Sequence, residues 1–417
     1  MLSADRIGIN RSIFLLWCGH IISHAGDAIY QIALPWLILE LTGSKTTTSL
    51  VAVSAYLPAV MFSLPAGVLA DRFDRRHSMI FSDAARMILL GALVAFLLTG
   101  GTSPAVIGII TFAVATSATL FYPARDALIP SLVRPGQLGA ANAFISTSGQ
   151  LAHLAGPVLA ASLVALVGMT HLFTIDALSF AASMMTLALI SVAVSRPSRV
   201  QGKPEHLRDL QDGVHFVFQK RSLGLLLILT AVNNLFIMGP AIIGTPIFIR
   251  EVLHLKFEAY ATVEAFMAGG MLIGSFLVWR FWKGYNPALV LFLGMMIDGF
   301  TYSLLYFVHT YPATKLLLLI HGIGIPMITI SRTTLIQKAV PDSLRGRVFS
   351  MVNMSVMGLT AVSSGLVGPL AEILPIGSIF LLIGMGAALC GVFGINHRGM
   401  MTLVRNGDVR GGPPHAL

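Results

Sequence analysis

Twelve long apolar runs, separated by short polar turns, constrain the fold of this sequence more than any other feature. Six of them fall in the first half, at about 13–41, 47–70, 78–99, 104–123, 138–168 and 171–194. The other six fall at about 222–249, 258–281, 287–309, 314–337, 348–373 and 375–395. Because a membrane-spanning helix needs roughly 20 apolar residues, the runs predict an all-α membrane protein with twelve transmembrane helices.

The composition supports lipid as the main solvent of this chain. Of the 417 residues 55% are hydrophobic and 11% are charged, and the mean hydropathy is +0.82. A soluble domain is about 25% charged. The net charge is +9, but the basic residues sit in short clusters between apolar runs, which favours a role in membrane orientation over nucleic-acid binding. Cys18 and Cys390 lie in apolar runs near opposite ends of the chain, so neither a disulfide nor a metal site is expected.

A polar, basic stretch divides the runs into two groups of six. The predicted domains are 1–194, a linker at 195–221, 222–395 and a tail at 396–417. Within the linker, Leu207, Leu210, Val214 and Val217 recur at helical spacing. This pattern predicts a short amphipathic helix on the membrane surface, with a plain tether as the alternative. The first run is too long for the core of a signal peptide, so we expect it to be retained as a span.

The distribution of basic residues predicts the orientation of the spans. If the N-terminus is cytoplasmic and the spans alternate, 22 of the 27 Lys and Arg residues fall on the cytoplasmic side, and Arg86 lies within a span. Only Lys45, Arg250, Lys256 and Lys315 fall on the other side. Cytoplasmic loops of membrane proteins carry an excess of Lys and Arg. The count therefore predicts an even number of spans with both termini in the cytoplasm.

The two halves of the sequence resemble each other. Three features recur in the same order at offsets of 207, 211 and 212 residues, about half the chain. They are Arg125-x-x-Leu128-Ile129 with Arg332-x-x-Leu335-Ile336, Asn142 with Asn353, and Gly156-Pro157 with Gly368-Pro369. Duplicated six-span halves are a transporter architecture, in which the substrate site lies near the midplane between the repeats.

Motifs of other protein classes are missing from the sequence. It has no phosphate-binding Gly-x-x-x-x-Gly-Lys-Ser/Thr loop, which argues against an ATP motor. It also has no His-Glu-x-x-His, Cys-x-x-Cys or Gly-x-Ser-x-Gly pattern. The sequence therefore does not indicate an enzyme, and we expect no cofactor and no metal.

Charged residues within the apolar runs are the candidate proton- and substrate-binding groups. A charge at the bilayer centre costs roughly 2.5–3.5 kcal/mol and persists where it faces a cavity or a partner. Asp27 is the leading candidate, because it lies near the middle of the first span and has no obvious cation in its own helix. Burial favours the neutral form of a carboxyl group, so protonation of Asp27 could couple to a conformational change.

For other polar residues within the runs, a purely structural role is the alternative to proton or substrate binding. Asp83 and Arg86, three residues apart on the third span, are predicted to neutralise each other. For Asp176 and Glu264 the alternative is a structural hydrogen bond or contact with interfacial water, and for the mid-span histidines it is hydrogen-bonded packing. The further candidates are Asp298 in the ninth span, Glu264 in the eighth, Asp176 in the sixth, His153 in the fifth, and Asn233 and Asn234 in the seventh, where the repeat places the counterpart of Asp27.

A turn with five charges in six residues follows the second span. Its pattern, Gly67-x-x-x-Asp71-Arg72-x-x-Arg75-Arg76, resembles the loop signature of the major facilitator superfamily. Asp74 stands where that signature has glycine, and we expect Asp74 to take the left-handed turn conformation there. Gly156-Pro157 resembles the antiporter signature of exporters in the superfamily, with Ala160-Ala161 in place of the usual glycine pair.

More narrowly, the chain resembles the exporter branch that includes macrolide efflux proteins and the enterobactin exporter. The stretches that carry this likeness include Ser23-x-x-Gly26-Asp27, Tyr122-Pro123-Ala124-Arg125, Leu138-Gly-Ala-Ala-Asn142, Phe173-x-Ile-Asp176 and Arg345-Gly346-Arg347. The resemblance implies the major facilitator fold, in which two pseudo-symmetric six-helix bundles rock about a central site. It also implies a monomer in the bacterial inner membrane, with Asp71 and the loop arginines as a cytoplasmic gate.

The resemblance implies proton-driven export of a small amphiphilic compound, such as a macrolide-like drug or a siderophore. A second hypothesis is a transporter that moves a lysophospholipid or another lipid between leaflets. A third, remote one is a non-transporting membrane scaffold or sensor. A scaffold or sensor would need an effector domain or a long interaction tail, and the segment after 395 has little pattern.

Overall fold

The computed structural model describes residues 10–191, 214–281 and 285–402, and these residues form helices joined by short turns. The helices of the first half are α1 Arg11–Thr42, α2 Lys45–Arg72, α3 Arg75–Leu98, α4 Pro104–Leu132, α5 Leu138–Val167 and α6 Met169–Ala188. Those of the second half are α7 Arg221–Gly239, α8 Thr245–Glu251, α9 Phe257–Phe281, α10 Pro287–Leu304, α11 Tyr311–Ala339, α12 Asp342–Ile373, α13 Ile376–Asn396 and α14 Arg398–Met401.

The predicted spans are confirmed as helices. Ten helical segments within the described ranges are long and apolar enough to cross a membrane, and one of them runs from Arg221 to Glu251 through α7 and α8. The first two helices are 32 and 28 residues long, which is also enough to span a bilayer. Most of the predicted linker helix at 207–217 lies outside the described residues, although 214–219 are helical and Val217 is buried.

Local signals explain where several helices begin and end. The Asn10 side chain accepts a hydrogen bond from the Ile13 N–H at 2.9 Å and so caps α1. Gly43 ends α1 with φ of 64°, a left-handed conformation that glycine adopts without steric cost. In the seventh span, one wider π turn at Pro240–Gly244 joins α7 to α8.

Two helices are longer than the sequence predicts. The fourth run was expected to end near residue 123, but α4 continues through Pro123 and Pro130 to Leu132. The eleventh was expected to begin near 348, but α12 begins at Asp342. Arg125 therefore lies inside a helix and not at its end.

The helix packing follows the duplication of the sequence. In the first half, α3 packs against α4 and α6, and α1 packs against α5 and α6. In the second half, α10, the ninth span, packs in the same way against α11 and α13, the tenth and twelfth spans. Leu128 and Ile129 lie in a buried core of the first half, and their repeat counterparts Leu335 and Ile336 lie in one of the second.

Contacts divide the chain into two units. The first contains α1 to α6 together with Thr245–Ala265 and Ser364–Glu372. The second contains α7 with the π turn, Phe266–Ser363 and the segment from Ile373 onward. The domain boundaries inferred from the linker remain a prediction of the sequence.

Candidate functional site

A buried arginine on α3 is the centre of a charged cluster in the first unit. The Arg86 guanidinium donates a hydrogen bond to the Asp83 carboxylate one turn earlier, so the predicted pair is confirmed. Its other terminal nitrogen lies 3.7 Å from Asp27 Oδ2 on α1. Arg86 therefore shares its charge between two carboxylates and supplies Asp27 with a cation from a neighbouring helix.

Aromatic rings and tight helix packing hold this arginine in place. The Arg86 Cζ atom lies 4.1 Å from the ring centre of Phe180 and 4.9 Å from that of Phe121, within the range of cation–π attraction. Gly26 lets α6 approach α1 closely, because a Cβ atom there would overlap the Asp176 carboxylate. Asp176 thus lies beside the turn of α1 that carries Asp27.

We call Asp27, Asp83, Arg86 and Asp176 the first cluster. It holds three carboxyl groups and one guanidinium, so it carries excess negative charge unless a proton or a cation is bound. The Asp27 side chain is 20% exposed, whereas that of Asp83 is 0% exposed. Asp27 is therefore the member best placed to exchange a proton or to contact a ligand.

Histidines extend the polar face of α1 beyond Asp27. His20, His24 and Asp27 are spaced i, i+4 and i+7, which places them on one side of the helix, and the two imidazole rings lie 4.0 Å apart. Arg125 on α4 donates to His20 Nε2, and the other ring nitrogen of His20 hydrogen-bonds with Ser148 on α5. Sequence reasoning missed these histidines, although their helical spacing with Asp27 was a usable signal.

The antiporter-like motif packs directly beside the first cluster. A Cβ atom at Gly156 would overlap the Cβ of Ala28, the residue after Asp27. Pro157 is buried in the same contact region of α5. Gly156 therefore sets the distance between α5 and the turn of α1 that carries Asp27.

A second cluster lies in the second unit and consists of Asn233, Asp298 and His321. The Asn233 amide donates to Asp298 Oδ2 at 3.4 Å, and His321 Nδ1 lies 3.4 Å from Asp298 Oδ1. The side chains of Asp298 and His321 are 5% and 2% exposed. The neighbouring Asn234 instead donates to the Val356 carbonyl and the Thr360 hydroxyl, both at 3.2 Å, and so ties α7 to α12.

Besides Asn234, two predicted site residues do not join either cluster. Glu264 is buried on α9, one turn beyond Tyr260, whose ring stacks on Trp36. His153 is exposed on α5. Among the residues that the structure describes, none bonds to the Glu264 carboxylate or to the His153 ring.

The loop arginines of the gating motif bind helix ends within the first unit. Arg75 donates to the Ala127 carbonyl of α4 at 2.8 Å, and Arg76 donates to the Leu187 carbonyl of α6 at 2.7 Å. The start of α3 is thereby tied to α4 and α6. The environment of Gly67 and the side chains of Asp71 and Arg72 lie outside the described part of the chain.

The expectation that Asp74 adopts a left-handed turn is wrong. Its φ and ψ are −61° and 122°, and its carboxylate caps α3 by accepting from the His77 N–H at 2.9 Å. An extended residue with a side-chain acceptor is what a helix N-terminus favours. Partial burial raises the pKa of Asp74, but hydrogen bonds from His77 outweigh it and hold this pKa below its usual value.

The long apolar helices define a class, a membrane protein that crosses the bilayer many times. The family model of the Major Facilitator Superfamily matches residues 16–364. The chain therefore belongs to the major facilitator superfamily, whose members are transporters and not enzymes.

Curated relatives are efflux proteins at modest identity. The chain is 27% identical over 367 residues to macrolide efflux protein A of Streptococcus pyogenes, covering 85% of this chain and 87% of that protein. It is 25% identical over 395 residues to the multidrug efflux pump Tap of Mycobacterium tuberculosis, covering 92% of each. These likenesses agree with the branch that the sequence motifs indicate.

Solved structures share the fold at low identity. The nucleoside transporter NupG superposes with a TM-score of 0.74 at 13% identity, covering 93% of this chain and 98% of that one. A bacterial homologue of the iron transporter ferroportin superposes with a TM-score of 0.68 at 16% identity, covering 95% and 100%. At these identities the likeness concerns the fold alone.

Proposed function

We propose that this protein exports a small amphiphilic compound across the bacterial inner membrane in exchange for protons, by alternating access. The compound is a drug, such as a macrolide-like one, or a siderophore. Both termini are cytoplasmic in this proposal, and the transporter acts as a monomer. The names of the efflux relatives support export, and the 22-to-4 distribution of Lys and Arg supports the orientation.

The observation that carries proton coupling is the charge imbalance of the first cluster. Asp83 and Asp27 lie beside one arginine, and Asp176 lies beside the turn that carries Asp27. The cluster thus has three carboxyl groups for one cation, and an uncompensated carboxylate is costly inside the membrane. A proton on Asp27 removes that charge, and its loss returns Asp27 to Arg86, 3.7 Å away. Protonation therefore changes a contact between α1 and α3, as a coupling residue requires.

The test is transport in inside-out vesicles with an imposed, interior-acid pH gradient. The probes are a radiolabelled macrolide and an iron-free catecholate siderophore. We expect accumulation of at least one probe in wild-type vesicles, loss of that accumulation in Asp27→Asn, and no effect of Asp342→Asn at an exposed helix start. Full gradient-driven accumulation in Asp27→Asn would show that Asp27 is not the coupling residue.

Movement of a lysophospholipid or another lipid is a second candidate function. An apolar groove of about 520 Å³ lies between α2 and α4, lined by residues such as Val51, Gly108 and Phe112. Leu50 and Ile109 at its edge are 61% and 69% exposed, so the groove faces the lipid and has room for an acyl chain. Transport that persists with a protonophore favours this lipid function, whereas its loss favours proton-coupled export.

A further inference from the structure

Arg332 lies on α11, seven residues before the end of that helix at Ala339, and it has no counter-charge among the described residues. It follows buried Ile328 by one turn and precedes buried Ile336 by one turn, so it lies at the packed face of the helix. The residue is partly buried. No described residue lies within hydrogen-bond or ion-pair distance of its guanidinium.

The repeat provides an internal comparison for this residue. Arg332 corresponds to Arg125, 207 positions earlier. Arg125 donates to the Asp126 carboxylate at 2.7 Å and to His20, and its Cζ atom lies 5.2 Å from the Tyr122 ring centre. The first half therefore satisfies this arginine in three ways.

The second half lacks the counterparts of two of those partners. At the same offset, Asp126 becomes Thr333 and Tyr122 becomes Thr329. Each threonine hydroxyl donates its proton to a carbonyl of its own helix, Thr329 to Ile325 at 3.0 Å and Thr333 to Thr329 at 2.9 Å. With these differences, no described residue pairs with the Arg332 guanidinium, whereas its counterpart in the first half forms an ion pair with Asp126.

Two other buried or partly buried arginines of the described helices, one in the middle of α3 and one in the last turn of α8, have partners. Arg86 is bonded to Asp83, and Arg250 donates to the Leu39 carbonyl. An unpaired arginine costs roughly 2.5–3.5 kcal/mol at the centre of a span on insertion scales, and the cost is smaller for Arg332, which lies nearer the end of α11. This cost is offset if a ligand supplies the missing negative charge.

We propose that Arg332 binds the anionic group, a carboxylate or a phosphate, of an amphiphile that enters the membrane span of the second half. An apolar body would carry such a group to this depth, and the guanidinium can bind it through two parallel hydrogen bonds. This inference rests on the proposed export function and narrows its substrates to anionic amphiphiles. Cationic compounds, including macrolides with a protonated amino group, are repelled at this position, so among the proposed substrates this inference favours the siderophore. The anion comes from the exported compound or from a phospholipid headgroup of the adjacent leaflet.

The test is equilibrium binding of a matched probe pair to the full-length protein in phosphatidylcholine nanodiscs. The probes are 11-(dansylamino)undecanoate and its uncharged methyl ester, titrated by fluorescence. Because hydrogen bonds to charged groups contribute more than neutral ones, we expect wild type to bind the acid about tenfold more tightly than the ester. Arg332→Gln should abolish this preference, and Arg332→Lys should retain part of it.

Two further variants separate the anion site from general damage. Thr333→Asp restores the acidic neighbour found in the first half and should abolish the acid preference while the protein stays monodisperse. Arg280→Gln removes an exposed cation at the end of α9 and should leave the preference unchanged. Equal binding of acid and ester by wild type, or an unchanged preference in Arg332→Gln, would overturn the proposal.

Adding phosphatidylglycerol to the nanodiscs distinguishes the two sources of the anion. If a lipid headgroup occupies Arg332, the added lipid weakens acid binding in wild type and has no effect in Arg332→Gln. If the exported compound supplies the anion, acid binding stays the same. Binding is measured without a pH gradient, so a negative result here does not contradict proton-coupled export. In the same way, a negative result in the Asp27→Asn transport test does not contradict the anion site at Arg332.

Discussion

At the scale of single residues, Arg86 connects four helices of the first unit. Its guanidinium bonds to Asp83 on its own helix, approaches Asp27 on α1 and contacts the rings of Phe121 on α4 and Phe180 on α6. Asp83 is fully buried, whereas Asp27 is partly open. We therefore infer different roles for the two carboxylates. Asp83 holds the arginine, and Asp27 can leave it.

Asp83→Asn should therefore destabilise the protein more than Asp27→Asn does. A hydrogen bond to a charged group in a buried site contributes about 2 kcal/mol, and Asp83 makes that bond while Asp27 stands at 3.7 Å. The thermal unfolding midpoint in detergent measures the difference. The double variant Asp83→Asn with Arg86→Gln should lose further stability, because Asp27 then has no guanidinium beside it. Equal losses in the two single variants would contradict this division of tasks.

Local spacing predicts only part of this cluster. The Asp83–Arg86 pair follows from a separation of three residues on a helix. The approach of Asp27 and the two rings depends on how α1, α4 and α6 pack against α3, which no local pattern encodes. The helical spacing of His20, His24 and Asp27 was visible, but Arg125 as their partner was not, because α4 was expected to end before it.

At the scale of helices, apolar length predicts that a span exists but not where it ends. Pro123, Arg125 and Pro130 look like the end of a span, yet α4 includes all three. Proline is tolerated in membrane helices because neighbours satisfy the freed backbone groups, and Arg125 is accepted because Asp126 and His20 bind it. The error at Asp74 has a similar cause, since a superfamily pattern suggested a turn where this residue caps α3.

Gly156 offers a test of the helix contact beside Asp27. Gly156→Ala should push α5 away from α1, because the added methyl would overlap the Ala28 Cβ. Overpacking of this kind costs about 1–3 kcal/mol, so we expect a lower unfolding midpoint and weaker gradient-driven transport. Gly149→Ala is the matched control on the same helix, since its Cβ would meet nothing within 4 Å. A harmless Gly156→Ala would show that this contact does not position Asp27.

At the scale of the whole molecule, the sequence duplication predicts the packing of the helices well. It predicts the division of the chain into two contact units less well. The packing of α3 against α4 and α6 recurs in that of α10 against α11 and α13, as expected from the sequence offsets. Yet Thr245–Ala265 and Ser364–Glu372, from the second half, belong to the first unit by contact. A repeat in sequence reports which segments share a fold, whereas the neighbours of a helix end depend on the conformation of the chain.

One such contact tests alternating access. Lys45 at the start of α2 forms an ion pair with Glu251 at 2.8 Å, and its backbone N–H donates to the Glu372 carboxylate at 2.9 Å. If transport requires α12 to part from α2 here, a cross-link between residues 45 and 372 must stop it. The test variant carries Lys45→Cys and Glu372→Cys in a background of Cys18→Ser and Cys390→Ser. We expect a short, cleavable bifunctional thiol reagent to abolish its transport. Cleavage of the cross-link should restore transport. Lys45→Cys alone is the control. Undiminished transport by the cross-linked protein would exclude a movement at this contact, because a joined pair of helix ends cannot open and close.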